Sequence, residues 1–548
     1  MPISGPPPTP DPLQDPTSAI QAALAAGRRD EALALARGAV QAGSRLPLVL
    51  QVAARGELEA GRFDRAISLL RAWIGASPYD PAAWTALANA QYAARNPDLA
   101  LQAADAALAL APTDPAALCA KAAVLQSLSR VDEAAGLLRQ ALVADPHRPE
   151  ARLGLALQAI ERGDWDDAQA HTASLDVHPG LEANRLWLRA RIALGRGAPA
   201  AALPDLDRLL AASGLGPEQQ ANAHLLRGEA LDALGRPTAA FEAAVAGKSV
   251  QRRLYAERAA SREAEADKLR RLEAWFEAAD PAEWRTAAAP SANARCTAHA
   301  FLVGFPRSGT TLLEQVLAGH PAVESLEEAP TLADAYAEFL ADDAGLRRLA
   351  RLGDDEAEHW RTRYWTAVRA AGARPDGKLF LDKAPAGTLY LPLVAKLFPN
   401  AKVMLALRDP RDVVLSCLRN QFQMNAMTYA FTDLAAAADC YDACMGMAQA
   451  YRRVLPLDLI EVRHEALVEA FDAEQARIAD FLGLEPDAAM ADVAATAARR
   501  GVRTPSAPQL RAGLNRGGLG RWRAYTDQMA PVLPQLAPWI ERFGYPEA

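Results

Sequence analysis

Small apolar residues recur along the first third of the chain at intervals of 34: Ala32, Ala66, Ala100, Ala134 and Ala168 form one series, and Ala54, Ala88, Ala122 and Ala156 a second. Pro78, Pro112 and Pro146 keep the same step. Two phases of short side chains per period predict paired antiparallel helices that approach closely at alanine, with a proline ending each second helix. Gly27, Gly61, Asn96 and Gly163 precede the second helices, where a tight turn needs a permissive backbone. The pattern is clear over 13–182. Further helical pairs follow at 186–213 and 222–248 with slipped spacing, for about seven pairs in all, and 249–278 continues as charged helix. From 297 the periodicity changes. Short apolar runs at 298–303, 378–381, 402–407 and 458–462 each predict a buried strand, helical stretches separate them, and 322–326 can form a further short parallel strand. Such alternation implies a parallel sheet covered by helices, with ligands at the carboxyl edge of the strands. The expected divisions are a disordered N-terminus at 1–12, a helical solenoid at 13–250, a connector at 251–296 with a linker at 287–294, and an α/β domain at 297–548.

The helical pairs resemble tetratricopeptide repeats. Stacked pairs of that kind present a concave surface that binds a protein or peptide by contacts alone; a scaffolding or homodimerising arm is the other reading. Composition narrows the partners. A chain of 548 residues with 51% apolar content is large enough for two or more cores. Its net charge of -8 argues against general binding to nucleic acid or an anionic membrane surface. The five cysteines are few, odd in number and scattered, which fits a reducing compartment. Cys440 and Cys444 share a helical face but have no further ligands nearby to complete a zinc site. The proline-rich start lacks the basic and apolar regions of a signal peptide. No apolar run approaches the ~20 residues of a membrane helix. The expectation is a cytoplasmic protein.

Candidate chemistry begins where the first strand ends, at Gly304-Phe305-Pro306-Arg307-Ser308-Gly309-Thr310-Thr311, directly before a helical run. A strand, a glycine-containing loop and a helix start together form a P-loop-like phosphate cradle: backbone amides point at an anion, and Ser308, Thr310 and Thr311 add hydroxyls. Thr310 stands where a Walker loop has its lysine, which removes the point charge used on nucleoside triphosphates. A kinase or NTPase is therefore disfavoured. Three later strand ends add groups to the same edge. Glu327 and Glu328 follow the second strand; adjacent glutamates are ordinarily surface charge, and their location is what singles them out. Lys383 follows the third strand and could neutralise charge on transferring oxygens. Arg408, Arg411 and Ser416 follow the fourth, suited to a second phosphate.

Taken together, Pro306-Arg307-Ser308-Gly309-Thr310-Thr311, Arg408 with Ser416, and the late Arg516-Gly517-Gly518-Leu519-Gly520-Arg521-Trp522 resemble the donor-binding motifs of sulfotransferases. The resemblance covers about 297–546 and is nearest to the tyrosylprotein branch and to bacterial proteins that join tetratricopeptide repeats to such a domain. It implies a co-substrate, 3'-phosphoadenosine 5'-phosphosulfate, and no metal. By the match, Arg307, Ser308, Gly309, Thr310 and Thr311 hold the 5'-phosphosulfate, and Arg408 and Ser416 the 3'-phosphate. Arg516, Gly517 and Arg521 fall in the last donor motif, where Arg521 replaces a lysine. Glu328 matches the base, Lys383 a lysine assisting the leaving group, and Ser506 a serine contacting the same region. One departure is that the family arginine four residues after the helix serine falls on Asn420, with Arg419 one position early. A repeat scaffold that binds nucleotide without turnover is the alternative to an enzyme.

Overall fold

The computed structural model of the chain describes residues 16–128, 130–285, 295–485, 487–500 and 516–547. The N-terminus at 1–12, the linker at 287–294 and Ser506 lie outside the described residues. Two compact units, Met1–Ile192 and Ala193–Ala548, divide the chain.

The first unit consists of short antiparallel helices such as Phe63–Ala76, Pro81–Ala93, Pro97–Leu110 and Pro115–Ser127. Every alanine of the two 34-residue series is at most 1% exposed, so these are the positions where helices touch. Pro78, Pro112 and Pro146 lie just past second helices that end at Ala76, Leu110 and Ala144. A second proline series, Pro47, Pro81, Pro115 and Pro149, opens the first helices, where a missing N–H costs nothing. Asp80 and Asp114 cap two of these starts, each accepting a backbone N–H at 3.0 Å.

The turn before the second helix is left-handed at Gly27, Gly61 and Gly163. In the third pair, however, the left-handed residue is Arg95 at φ 64, and Asn96 is not, at φ -109. Asn96 instead donates its amide to Gln91 Oε1 at 3.0 Å. Arg95 occupies the 34-residue position of the glycines and is exposed, so Arg95→Gly relieves strain without losing packing. The expected gain is about 0.5–1 kcal/mol in urea unfolding; an unchanged or lower midpoint would contradict it.

The second unit opens with helices Pro199–Ala211, Pro217–Ala233, Pro237–Ala260 and Glu265–Glu277. Its sheet has strands β1 (Ala298–Gly304), β2 (Val323–Glu327), β3 (Leu379–Lys383), β4 (Lys402–Leu407) and β5 (Asp458–Arg463), in the order β2-β3-β1-β4-β5, all parallel. Both faces are covered. Phe301, Val303, Phe380 and Leu405 pack into one core, while Leu302, Leu381, Met404 and Ala406 pack into the other with Leu312, Leu313 and Val316. That two-sided burial explains why the strands read as continuous apolar runs. The chain fills one side of β1 with β3 and β2, then crosses to β4 and β5. A crevice therefore opens at the carboxyl ends of β1 and β4, the switch point of the topology. Among the described residues no helix is long and apolar enough to cross a membrane.

Candidate active site

The register places the site. Glu327 lies opposite Lys383, Lys383 opposite Leu302, and Gly304 opposite Ala406, so the ends of four strands meet on one edge. From β1 the chain turns through Arg307, which has φ 74, and Gly309 at φ 94, into the helix Thr310–Ala318. Gly309 has no side chain to cap that helix start, and the first N–H groups of a helix have no intrahelical partner. Ser308, Thr310 and Thr311 are buried in the loop. A Cβ on Gly309 would come within 2.5 Å of His464 Nδ1, so the glycine is required by space as well as by φ. Gly309→Ala is expected to distort the loop and cost about 1–3 kcal/mol, read as a lower melting temperature together with weaker nucleotide binding. Wild-type values for both would remove the loop from this role.

Across the switch point, Arg307 Nε donates to Ser416 Oγ at 3.0 Å, which joins the loop to the helix Pro410–Arg419 after β4. Arg408 Nη1 donates to the Arg307 carbonyl at 3.3 Å and Nη2 to the Gly518 carbonyl. Among the described residues its Nε is buried without a partner. Asp412 holds the late motif in place, accepting N–H groups of Gly520 at 2.7 Å and Trp522 at 2.9 Å. Arg408, Ser416 and the 516–522 segment thus form one wall. Arg516 and Gly517 are exposed at its rim. Arg521 turns to Asp232 on the helix Pro217–Ala233, as does Arg419 at 2.5 Å, and Tyr525 donates to the same carboxylate at 2.5 Å. Arg411 binds Asp409 and stacks on Trp522, away from the crevice.

Strand alternation sends Asp382 to one face, where Tyr364 and Thr331 donate to it at 2.8 and 2.9 Å. Lys383 faces the other. There its fully buried ammonium meets Glu328 at 2.8 Å, Glu327 at 3.1 Å and Glu314 at 3.4 Å. Burial alone would lower its pKa, but the three carboxylates outweigh burial and hold it above the ordinary lysine range. Glu314 is pushed up by burial despite Lys383. Glu328 differs from its neighbours. Its side chain is 46% exposed, and its backbone is left-handed at φ 50 while its N–H still donates to the Lys383 carbonyl at 2.8 Å. Among the described residues only Arg95, Arg307 and Glu328 are non-glycines with positive φ, and two of the three lie here. Strain of this kind concentrates at functional sites.

The basic side is short of negative charge. Burial and then Arg408 pull the Arg307 guanidinium down to about 10. Burial, then Arg408 and Arg307, push His464 down to about 3, so the ring is neutral, and among the described residues its Nδ1 is buried without a partner. An anion between the loop and Arg408 relieves both effects, and the orphaned Arg408 Nε is a donor ready for it. Sequence reasoning missed His464, Asp412 and Glu314. His464 alone carried a signal, as the first residue past β5 at the functional edge; the other two act through contacts that only the fold creates.

Residues 298–488 match a family described as the sulfotransferase family, and residues 57–124, 126–178 and 188–248 match families described as tetratricopeptide repeats. An uncharacterized protein of Aquifex aeolicus (strain VF5) is 26% identical over 254 residues, which are 45% of this chain and 33% of that one. The match thus spans a third of the Aquifex protein. A putative protein-tyrosine sulfotransferase of Caenorhabditis briggsae is 25% identical over 259 residues, 45% of this chain and 88% of the relative. The sulfotransferase domain from the curacin biosynthetic pathway aligns at 17% identity and a TM-score of 0.32 over 46% of this chain and 99% of its own. The chain thus carries stretches similar to tetratricopeptide repeats followed by a stretch similar to the sulfotransferase family.

Proposed function

We propose that this chain transfers a sulfuryl group from 3'-phosphoadenosine 5'-phosphosulfate to the hydroxyl of an acceptor, with a polypeptide docked by the repeats as the acceptor class. The observation that carries the reading is the meeting of two clusters at one sheet edge: the loop with Arg307, Ser416 and Arg408, and the carboxylate Glu328 on Lys383. The first offers amides, hydroxyls and two guanidinium groups to two phosphates; the second offers a proton acceptor. Glu328 lies close enough to Arg307 for its charge to favour the guanidinium form.

The acceptor oxygen attacks sulfur in line, its bond to sulfur forms, and the bond from sulfur to the 5'-phosphate oxygen breaks. The acceptor proton passes to Glu328 and the electron pair leaves with adenosine 3',5'-bisphosphate. Arg307 and the loop amides stabilise charge on the sulfuryl and phosphate oxygens. Lys383 holds Glu328 in place and supplies positive charge beside the leaving oxygen. Ser506, expected to contact the same region, completes the proposed set, with Arg516, Gly517 and Arg521 at the donor's rim. The repeats, and the protein-tyrosine names of several relatives, favour a polypeptide acceptor. Calorimetric titration tests the donor: adenosine 3',5'-bisphosphate is expected to bind at least tenfold more tightly than 5'-AMP, and equal affinity would overturn this reading.

A further inference from the structure

Lys248, on the helix Pro237–Ala260, is among the largest fully buried side chains, at 1% exposure. Other buried lysines of the unit are well satisfied. Lys383 meets three carboxylates, and Lys396 donates to the carbonyls of Glu283 and Ala350, both at 2.6 Å. Lys248 donates to one carbonyl, that of Asn420 at 2.7 Å, and lies 5.4 Å from the centre of the Phe422 ring. Among the described residues no carboxylate pairs with it. A buried cation left this way is costly unless an anion completes its surroundings.

Its surroundings point to where that anion sits. Asn420 turns its amide onto Ser416 Oγ at 3.1 Å, and Ser416 Oγ also accepts from Arg307. Hydrogen bonds thus link Lys248 through Asn420 and Ser416 to Arg307, all at the helix Pro410–Arg419. The one basic residue in the last turn of that helix, Arg419, is committed to Asp232. Lys248 therefore brings charge to a helix end that supplies none of its own.

We infer that Lys248 is a donor-positioning residue: acting through the Asn420–Ser416 turn, it adds positive charge behind the subsite of Arg408 and Ser416 that takes the donor's second phosphate. This rests on the donor reading above. It makes the helix Pro237–Ala260 part of the nucleotide site, although it lies outside the 297–548 segment expected to carry the chemistry.

The test compares full-length wild type, Lys248→Met and Lys248→Arg in phosphate-free buffer, titrating adenosine 3',5'-bisphosphate and 5'-AMP and melting each unliganded protein. Lys248→Met is expected to bind the bisphosphate about tenfold or more weakly, to bind 5'-AMP as wild type does, and to melt no lower, because an unpaired buried charge is gone. Lys248→Arg is expected to recover most of the preference for the bisphosphate. If the Met variant keeps the wild-type preference, or loses both ligands alike with a lower melting temperature, Lys248 is only structural and the inference fails. If wild type itself shows no preference for the bisphosphate, the donor reading fails and takes this inference with it.

Discussion

Glu328→Gln is expected to lower the rate of sulfate transfer by about a hundredfold or more while leaving affinity for adenosine 3',5'-bisphosphate unchanged. The substitution keeps the shape of the side chain and a contact to Lys383, so the left-handed turn at φ 50 and the hydrogen bond from its N–H to the Lys383 carbonyl are preserved. What it removes is the proton acceptor. Glu314 and Glu327 cannot replace it: Glu314 is fully buried, and Glu327 is the last residue of β2, against Lys383. Glu328 alone of the three is both half exposed and carried past the strand end. A transfer rate within a few-fold of wild type would show that Glu328 is only a partner for Lys383. A loss of bisphosphate affinity alongside the rate would show that the substitution had disturbed the loop.

The second large effect is expected at Arg408. Its side chain touches the Arg307 carbonyl, the Gly518 carbonyl and, at 3.9 Å, Asp412, and its Nε has no partner among the described residues. Arg408→Met removes the charge at the centre of the wall and leaves Asp412 buried with less compensation. Affinity for the bisphosphate is expected to fall on the order of a hundredfold, measured by titration, with a smaller loss for 5'-AMP. Arg408→Lys is not expected to restore it, because a single ammonium cannot reach Gly518, Arg307 and a phosphate together. Equal losses for both ligands would move Arg408 from the second phosphate to a general role in holding the wall.

Much of this architecture is legible in the sequence, for identifiable reasons. The alanine series could be read because helix contact tolerates only short side chains, and the inner strands β1, β3 and β4 because burial on both faces leaves continuous apolar runs. Strand ends then give the position of Gly309, Glu328, Lys383 and Arg408 along one edge without knowledge of any side-chain contact. The failures are also physical. Asn96 is a better turn former than Arg95, yet the repeat geometry fixes which position is left-handed, and Arg95 holds it. Arg419 and Arg521 stand beside the donor motifs, and both also pair with Asp232, about two hundred residues earlier or more in the sequence, which the motifs do not report. No local pattern can report a contact of that separation. The same holds for Lys248, the last residue of the helical pair expected at 222–248, which is buried beside Asn420.

The central claim is sulfuryl transfer from a donor distinguished by its 3'-phosphate. Its most direct test is to incubate the full-length protein with sulfur-labelled 3'-phosphoadenosine 5'-phosphosulfate and a lysate from cells that lack this protein, then follow label into macromolecular and small-molecule fractions. The predicted result is a labelled acceptor that forms with wild type, is lost with Glu328→Gln, and is suppressed by adenosine 3',5'-bisphosphate but not by 5'-AMP. No label above the enzyme-free control, in a preparation that binds the bisphosphate, would contradict it and leave a nucleotide-binding repeat protein without transfer activity.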